Sequence, residues 1–222
     1  MSFQIAIDGP AGAGKSTIAK RVAKEKGMIY VDTGAMYRAM AYYLLKRGVN
    51  SGDVEAVERE CEGARISISY ENGEQVVWLN GENVNGMIRT EEVGQMTSDV
   101  SKYPKIRERL TLLQKELAST NDVVMDGRDI GTCVLPDADV KVYLTASVEV
   151  RAKRRYLELS EKGVSCDFEQ ITKDIEIRDR QDMTREISPL KQAEDAVLVD
   201  SSDMTIDEAV EAILGLCKEN QQ

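Results

Sequence analysis

Apolar positions along the chain alternate between two spacings. Residues 3–7 form a short apolar run that ends at Asp8 and a glycine-rich turn. Residues 16–26 then carry Ile18, Ala19, Val22 and Ala23 at helical spacing, with Gly27 placed as a helix stop. Further short apolar runs over 28–31, 123–125, 140–144 and 196–199, each bounded by polar or turn residues, predict strands. Thr205 and Glu208 form a capping box, opening a helix with Ile206, Ala209, Val210, Ile213, Leu214 and Cys217 on one face. Strands alternating with helices predict an α/β fold: a parallel sheet covered on both faces.

One stretch breaks this rhythm. Across residues 65–84, Ile66, Ile68 and Tyr70 alternate, Asn72-Gly73 offers a type I′ turn, residues 76–79 return, and Asn80-Gly81 offers a second turn. This predicts a small antiparallel sheet of two or three strands inserted between helices. Helical spacing resumes over 91–101 and 106–119. The 222 residues suit a single domain, with no internal repeat and no low-complexity linker.

The net charge of −10 argues against a nucleic-acid partner, which needs a basic face. No apolar stretch approaches the ~20 residues of a membrane span, and the N-terminus lacks a signal-peptide pattern, so a cytoplasmic protein with no membrane partner is expected. The four cysteines, Cys61, Cys133, Cys166 and Cys217, show no metal-ligand spacing and read as reduced thiols. With no histidine in the chain, acid–base work falls to carboxylates or lysine.

The most specific motif is Gly9-Pro10-Ala11-Gly12-Ala13-Gly14-Lys15-Ser16, which fits G-x-x-x-x-G-K-[ST] between a strand and a helix. Backbone N–H groups of such a loop point inward around a phosphate, joined by the positive end of the helix. Lys15 can reach the β- and γ-phosphates, and the Ser16 hydroxyl can hold magnesium. Asp126 ends an apolar strand, as a second magnesium-facing carboxylate would; its alternative role is a turn or cap.

A phosphate loop alone does not separate kinases from GTPases, helicases or transport ATPases. There is no Asn-Lys-x-Asp guanine reader. There is instead a set of arginines: Arg38, Arg107, Arg109, Arg128, Arg151, Arg154, Arg155, Arg178, Arg180 and Arg185. Transfer between two polyanions needs such charge, and the planar guanidinium fork binds phosphate bidentately. The alternative for each is a solvated helix face. Like charges at Arg151, Arg154 and Arg155 predict a stretch held loose by repulsion until phosphate arrives. An acceptor other than a cytidine nucleotide (UMP, shikimate or dephospho-coenzyme A) and an ATP-binding regulatory module remain alternatives.

The chain resembles the bacterial cytidylate kinases of the nucleoside monophosphate kinase family. The resemblance runs nearly end to end, through residues 5–17, Asp32-Thr33-Gly34-Ala35-Met36-Tyr37-Arg38, 88–93, 126–132 and Arg178-Asp179-Arg180. It implies a five-stranded parallel core, a monophosphate-binding region over 36–103 that includes the 65–84 insert, and a helical lid over 150–185. It implies ATP and CMP or dCMP as substrates, and Mg2+; a monomer is expected. By resemblance the donor is held by Gly9 to Ser16 with Thr17, Arg151 and Arg155. The acceptor is held by Thr33, Arg38, Ser98, Arg107, Arg128, Asp129, Arg178 and Asp182. Lys15, Arg128, Asp129, Arg178 and Arg185 would serve the transfer, with Ser16 and Asp126 toward the metal. Gln181 stands where some members carry another basic residue.

Overall fold

The computed structural model describes residues 2–219. Five strands form one parallel sheet: β1 (Gln4–Asp8), β2 (Ile29–Asp32), β6 (Val123–Gly127), β7 (Val140–Thr145) and β8 (Val197–Asp200). Their order is β2-β6-β1-β7-β8, and the second half of the sheet returns across β1. This puts the ends of β1, β2 and β6 side by side, where ligands of open α/β sheets bind.

Helices α1 (Lys15–Lys26) and α8 (Ile206–Glu219) cover one face, burying Ile18, Val22, Val210 and Ile213 with Ile5 and Ile7. Helices α2 (Thr33–Lys46) and α5 (Pro104–Thr120) belong to the second core, which includes Met36, Met40, Leu44, Ile106 and Met125. The short α3 (Val54–Glu60) adds Val57 to that core, and α4 (Glu91–Val100) adds Val93 and Met96.

The insert forms the antiparallel sheet expected, with β3 (Ile66–Glu71), β4 (Glu74–Leu79) and β5 (Glu82–Asn83) in order. Asn72 and Gly73, and again Asn80 and Gly81, hold positive φ values of 53°, 80°, 50° and 85°, as type I′ turns require. Helices α6 (Val148–Glu161) and α7 (Phe168–Thr184) pack as an antiparallel pair beside the sheet's carboxyl edge.

Several expectations need correction. The strands begin and end one residue later than the apolar runs at β1, β2 and β8, because the final polar residue still pairs in the ladder. The α3 helix was not expected: its seven residues bury only Val57. Ile206 does not join the buried face of α8; it is exposed, since the first turn overhangs the core. The capping box itself forms, with Glu208 accepting from the Thr205 N–H and Thr205 accepting from the Glu208 N–H.

These positions make opposite predictions. Leu44→Ala should cost about 2–5 kcal/mol in urea denaturation, because Leu44 is fully buried. Ile206→Ala should stay within ~0.5 kcal/mol.

Candidate active site

The loop after β1 takes a form that only glycine permits. Gly9 lies at φ 150°, and a Cβ there would sit 1.9 Å from the carbonyl oxygen of Leu144 on β7. Gly12 and Gly14 are left-handed, at φ 78° and 89°. Lys15 folds back so that Nζ donates to the Pro10 carbonyl at 2.7 Å, spanning the loop it closes. Burial, and next the Arg128 guanidinium, pull its pKa well below the usual lysine value. An arriving polyphosphate would reverse that penalty.

Ser16 donates to Asp126 Oδ2 at 2.9 Å. Burial and neighbouring Asp32 push the Asp126 carboxyl above the usual range. A hydroxyl and one carboxylate at the mouth of a phosphate loop are the donor set Mg2+ takes when phosphates complete its shell. Asp126 Oδ1 accepts from the buried Tyr30 hydroxyl at 2.9 Å. The Asp126 carbonyl accepts from Thr33 at 2.7 Å, so the Thr33 hydroxyl proton is directed at the end of β6.

Beyond β6 the backbone turns through Arg128 and Asp129 into a single wide helical turn (Ile130–Val134). Asp8 anchors this turn, its two oxygens accepting from the N–H groups of Ile130 and Gly131 at 2.8 and 2.7 Å. Burial pushes the Asp8 carboxyl up to about 6, opposed by those two bonds.

Four arginines and two carboxylates, Asp129 and Asp182, converge here. Arg107, from α5, pairs with Asp129 Oδ2, donates to the Ser101 carbonyl at 3.0 Å, and lies over the Tyr37 ring. Arg185, just past α7, lies 3.6 Å from Asp129 Oδ1 and 3.8 Å from Asp182. It also donates to the carbonyl of Ser188, whose φ of 49° is the left-handed conformation that aims this group. Arg128 donates through Nε to Asp182 at 2.9 Å. Burial alone would raise the Asp182 carboxyl, but Arg128 holds it below the usual range. Arg178, one turn before Asp182, keeps a buried Nε with no hydrogen-bond partner. Burial, and next Arg128, pull its guanidinium down to about 10. A cation in that state is a receptor for an anion.

Arg38 donates to the Ile88 carbonyl at 3.3 Å. Gly94 on α4 makes room for it: a Cβ there would stand 3.4 Å from its guanidinium. Ser98 donates to Gln181 across to α7 at 3.0 Å.

In the helix pair, two of the three arginines expected to repel one another have partners of their own. Arg151 is buried and bidentate with Asp179, at 3.1 and 2.6 Å, and donates to the Ala11 carbonyl of the phosphate loop at 3.0 Å. Arg154 donates to the Ser201 carbonyl at 2.7 Å. Repulsion is therefore relieved by partners at two of the three arginines. Arg155 is exposed and pairs only with Glu158 on its own helix. Thr17 is exposed at the first turn of α1.

The structure thus brings Lys15, Ser16, Asp126, Arg128, Asp129, Arg178, Asp182 and Arg185 to one edge, with Arg38, Ser98 and Arg107 alongside. Asp8 and Tyr30 were missed. The signal for Asp8 was its place between an apolar strand and Gly9; Tyr30 read only as a strand residue.

Comparison with known proteins bears on this site. A family model described as cytidylate kinase matches residues 5–219. The cytidylate kinase of Shouchella clausii is 51% identical over 99% of this chain and 98% of its own. That of Caldicellulosiruptor saccharolyticus is 50% identical over 96% and 95%. Among solved structures, a shikimate kinase from Bacteroides thetaiotaomicron shares the fold at TM-score 0.50 and 14% identity, covering 97% of this chain and 98% of its own.

Removing Asp129 should leave Arg107 buried without its counter-charge and Arg185 with Asp182 alone, 3.8 Å away. Asp129→Ala is expected to cost about 3–5 kcal/mol in urea denaturation. A loss under ~1 kcal/mol would show that the pairing does not hold the turn.

Proposed function

The chain belongs to the cytidylate kinase family, and from that membership we propose how its own residues move a phosphoryl group from ATP to CMP. The reaction is ATP + CMP to ADP + CDP, and dCMP is the second acceptor. One observation carries the assignment of the acceptor end: the buried, partnerless Nε of Arg178 stands beside Arg128 and Asp182, beyond the end of β6.

The donor's phosphates lie in the 9–16 loop, cradled by its N–H groups and by Lys15. Lys15 gives up the Pro10 carbonyl for the β- and γ-oxygens and balances charge as the γ-group moves. Ser16 and Asp126 would hold Mg2+, which would supply charge neutralisation for the donor's phosphates. Arg38, Arg128 and Arg178 hold the acceptor's phosphate in line with the γ-group, and Arg185 supports the transferring charge. Nothing covalent is required; positioning and electrostatic stabilisation supply the rate. Helices α6 and α7 form the lid over 150–185. Its closure excludes water, so that ATP is not hydrolysed. Arg151 and Arg155 come to the donor phosphates as it closes, Arg151 by exchanging Asp179 for phosphate.

Base choice falls to Asp129, Arg107 and Ser98. Asp129 Oδ2 is taken by Arg107, but Oδ1 is 3.6 Å from Arg185, beyond hydrogen-bond length, and keeps lone pairs to accept from the cytosine N4 amino group. Uracil presents a carbonyl there. The protein acts as a monomer in the cytoplasm; among the described residues no helix is long and apolar enough to cross a membrane.

An acceptor screen with ADP detection tests the activity, CMP and dCMP being the expected substrates. Asp129→Asn keeps the shape of the buried cluster and tests base choice. The CMP/UMP ratio of kcat/KM should fall about tenfold or more, since a hydrogen bond to a charged group is worth about 1.5–3 kcal/mol. Arg128→Ala should lower both acceptors alike. Equal losses for CMP and UMP with both variants would leave Asp129 as a support for Arg107 and Arg185 only.

A further inference from the structure

Strand β2 lies at the edge of the parallel sheet, so one side of its backbone lacks a neighbouring strand. Such an edge must be covered or solvated. Here the cover comes from side chains of the antiparallel insert. Gln75 on β4 binds the backbone of Asp32 reciprocally: Oε1 accepts from the Asp32 N–H at 2.9 Å, and Nε2 donates to the Asp32 carbonyl at 3.2 Å. Tyr70, directly opposite Gln75 across the β3–β4 ladder, donates its hydroxyl to the Tyr30 carbonyl at 3.2 Å. Arg89, in the segment after β5, donates to Asp32 Oδ2 at 3.0 Å. Three side chains from one region thus grip two alternate residues of one strand.

Both gripped residues reach the site. Asp32 Oδ1 accepts from the Ala35 N–H at 2.9 Å and so caps α2, whose first residues include Thr33 and, one turn on, Arg38. The Tyr30 hydroxyl donates to Asp126. A helix is located by its cap and entering strand, so a side chain that fixes the backbone of Asp32 fixes where α2 starts. Gln75 is half-buried and otherwise has no reason to turn toward the core.

We propose that Gln75 is a positioning residue for the acceptor. Through its paired bonds to Asp32 it locks the end of β2, and through that end the register of α2 and the placement of Arg38. Tyr70 is its partner in the same clamp. The inference rests on the acceptor-end reading given above. It makes the insert a brace for the acceptor site, acting on a strand that does not itself touch the substrate.

The test compares Gln75→Ala with wild type and with Glu74→Ala, its exposed neighbour on the same strand. Two readouts are taken: KM for CMP and for ATP, and hydrogen exchange of peptides spanning residues 30–38. Gln75→Ala should raise KM for CMP on the order of tenfold, since small misplacements of binding groups have effects of this size, with KM for ATP within about twofold. Exchange should quicken over 30–38 and stay unchanged over α1. Glu74→Ala should match wild type. Unchanged KM for CMP overturns the proposal, whether or not exchange quickens. Equal rises in both KM values, with faster exchange throughout, also overturn it, because they mark a general loosening. Should Gln75→Ala fail to fold, Tyr70→Phe removes one hydroxyl and is judged by the same criteria. A wild type that makes no CDP would refute the acceptor reading instead; the clamp would then stand or fall on the exchange over 30–38 alone.

Discussion

A buried guanidinium persists only beside negative charge, and the carboxyl edge of this sheet is arranged around that requirement. Arg107, Arg128, Arg151 and Arg185 each meet an aspartate there. The desolvation of such ions costs several kcal/mol each, so a pair stabilises the fold little while the loss of one partner is severe. The cost makes sense for a site that must accept two polyanions. Arginines already desolvated and already oriented meet phosphate with little reorganisation. Compensation is incomplete at Arg185, one of whose terminal nitrogens is buried with no hydrogen-bond partner, and at Arg178, whose Nε is in the same state and whose charge burial and Arg128 both destabilise.

Every framework element serves this arrangement. The glycine at 9 lets the phosphate loop pass against β7, and Asp8 just before it ties the turn after β6 by two N–H groups. That turn carries Arg128 and Asp129. The α7 helix spaces Arg178, Asp179 and Asp182 so that one face answers both the phosphate loop, through Arg151, and the turn, through Arg128. The insert braces the edge strand from outside. Local rules and tertiary demands agree almost everywhere along the chain, which is what a single well-defined fold needs.

What could be read beforehand follows the range of each interaction. The phosphate loop, the Asn-Gly turns and the Thr205–Glu208 box depend on neighbours within a few positions, and the periodicity of α1 and α8 is equally local. The alternation of elements, with the resemblance, was enough for the parallel sheet. The pairs that make the site span long separations. Arg107 finds Asp129 across 22 positions and Tyr30 finds Asp126 across 96, and no spacing rule predicts them. Asp129 could be singled out from the Asp126–Asp129 motif, but not its tie to Arg107 and Arg185. Ile206 misled because helical spacing says which face it shares, not where the core ends. Arg151 and Arg154 were expected to repel one another; Asp179 and the Ser201 carbonyl, distant in sequence, decide otherwise.

The central claim is that the buried Nε of Arg178, which has no hydrogen-bond partner, is held at this edge for the acceptor's phosphate. Arginine Nε–Hε resonances in a 15N-labelled sample report on it most directly. Adding CMP should shift the Arg178 signal and slow its exchange with water, as the idle donor gains an acceptor. Cytidine, which has the base and sugar but no phosphate, should leave that signal in place at the same concentration. An Arg178 resonance indifferent to CMP, or moved equally by cytidine, would contradict the account.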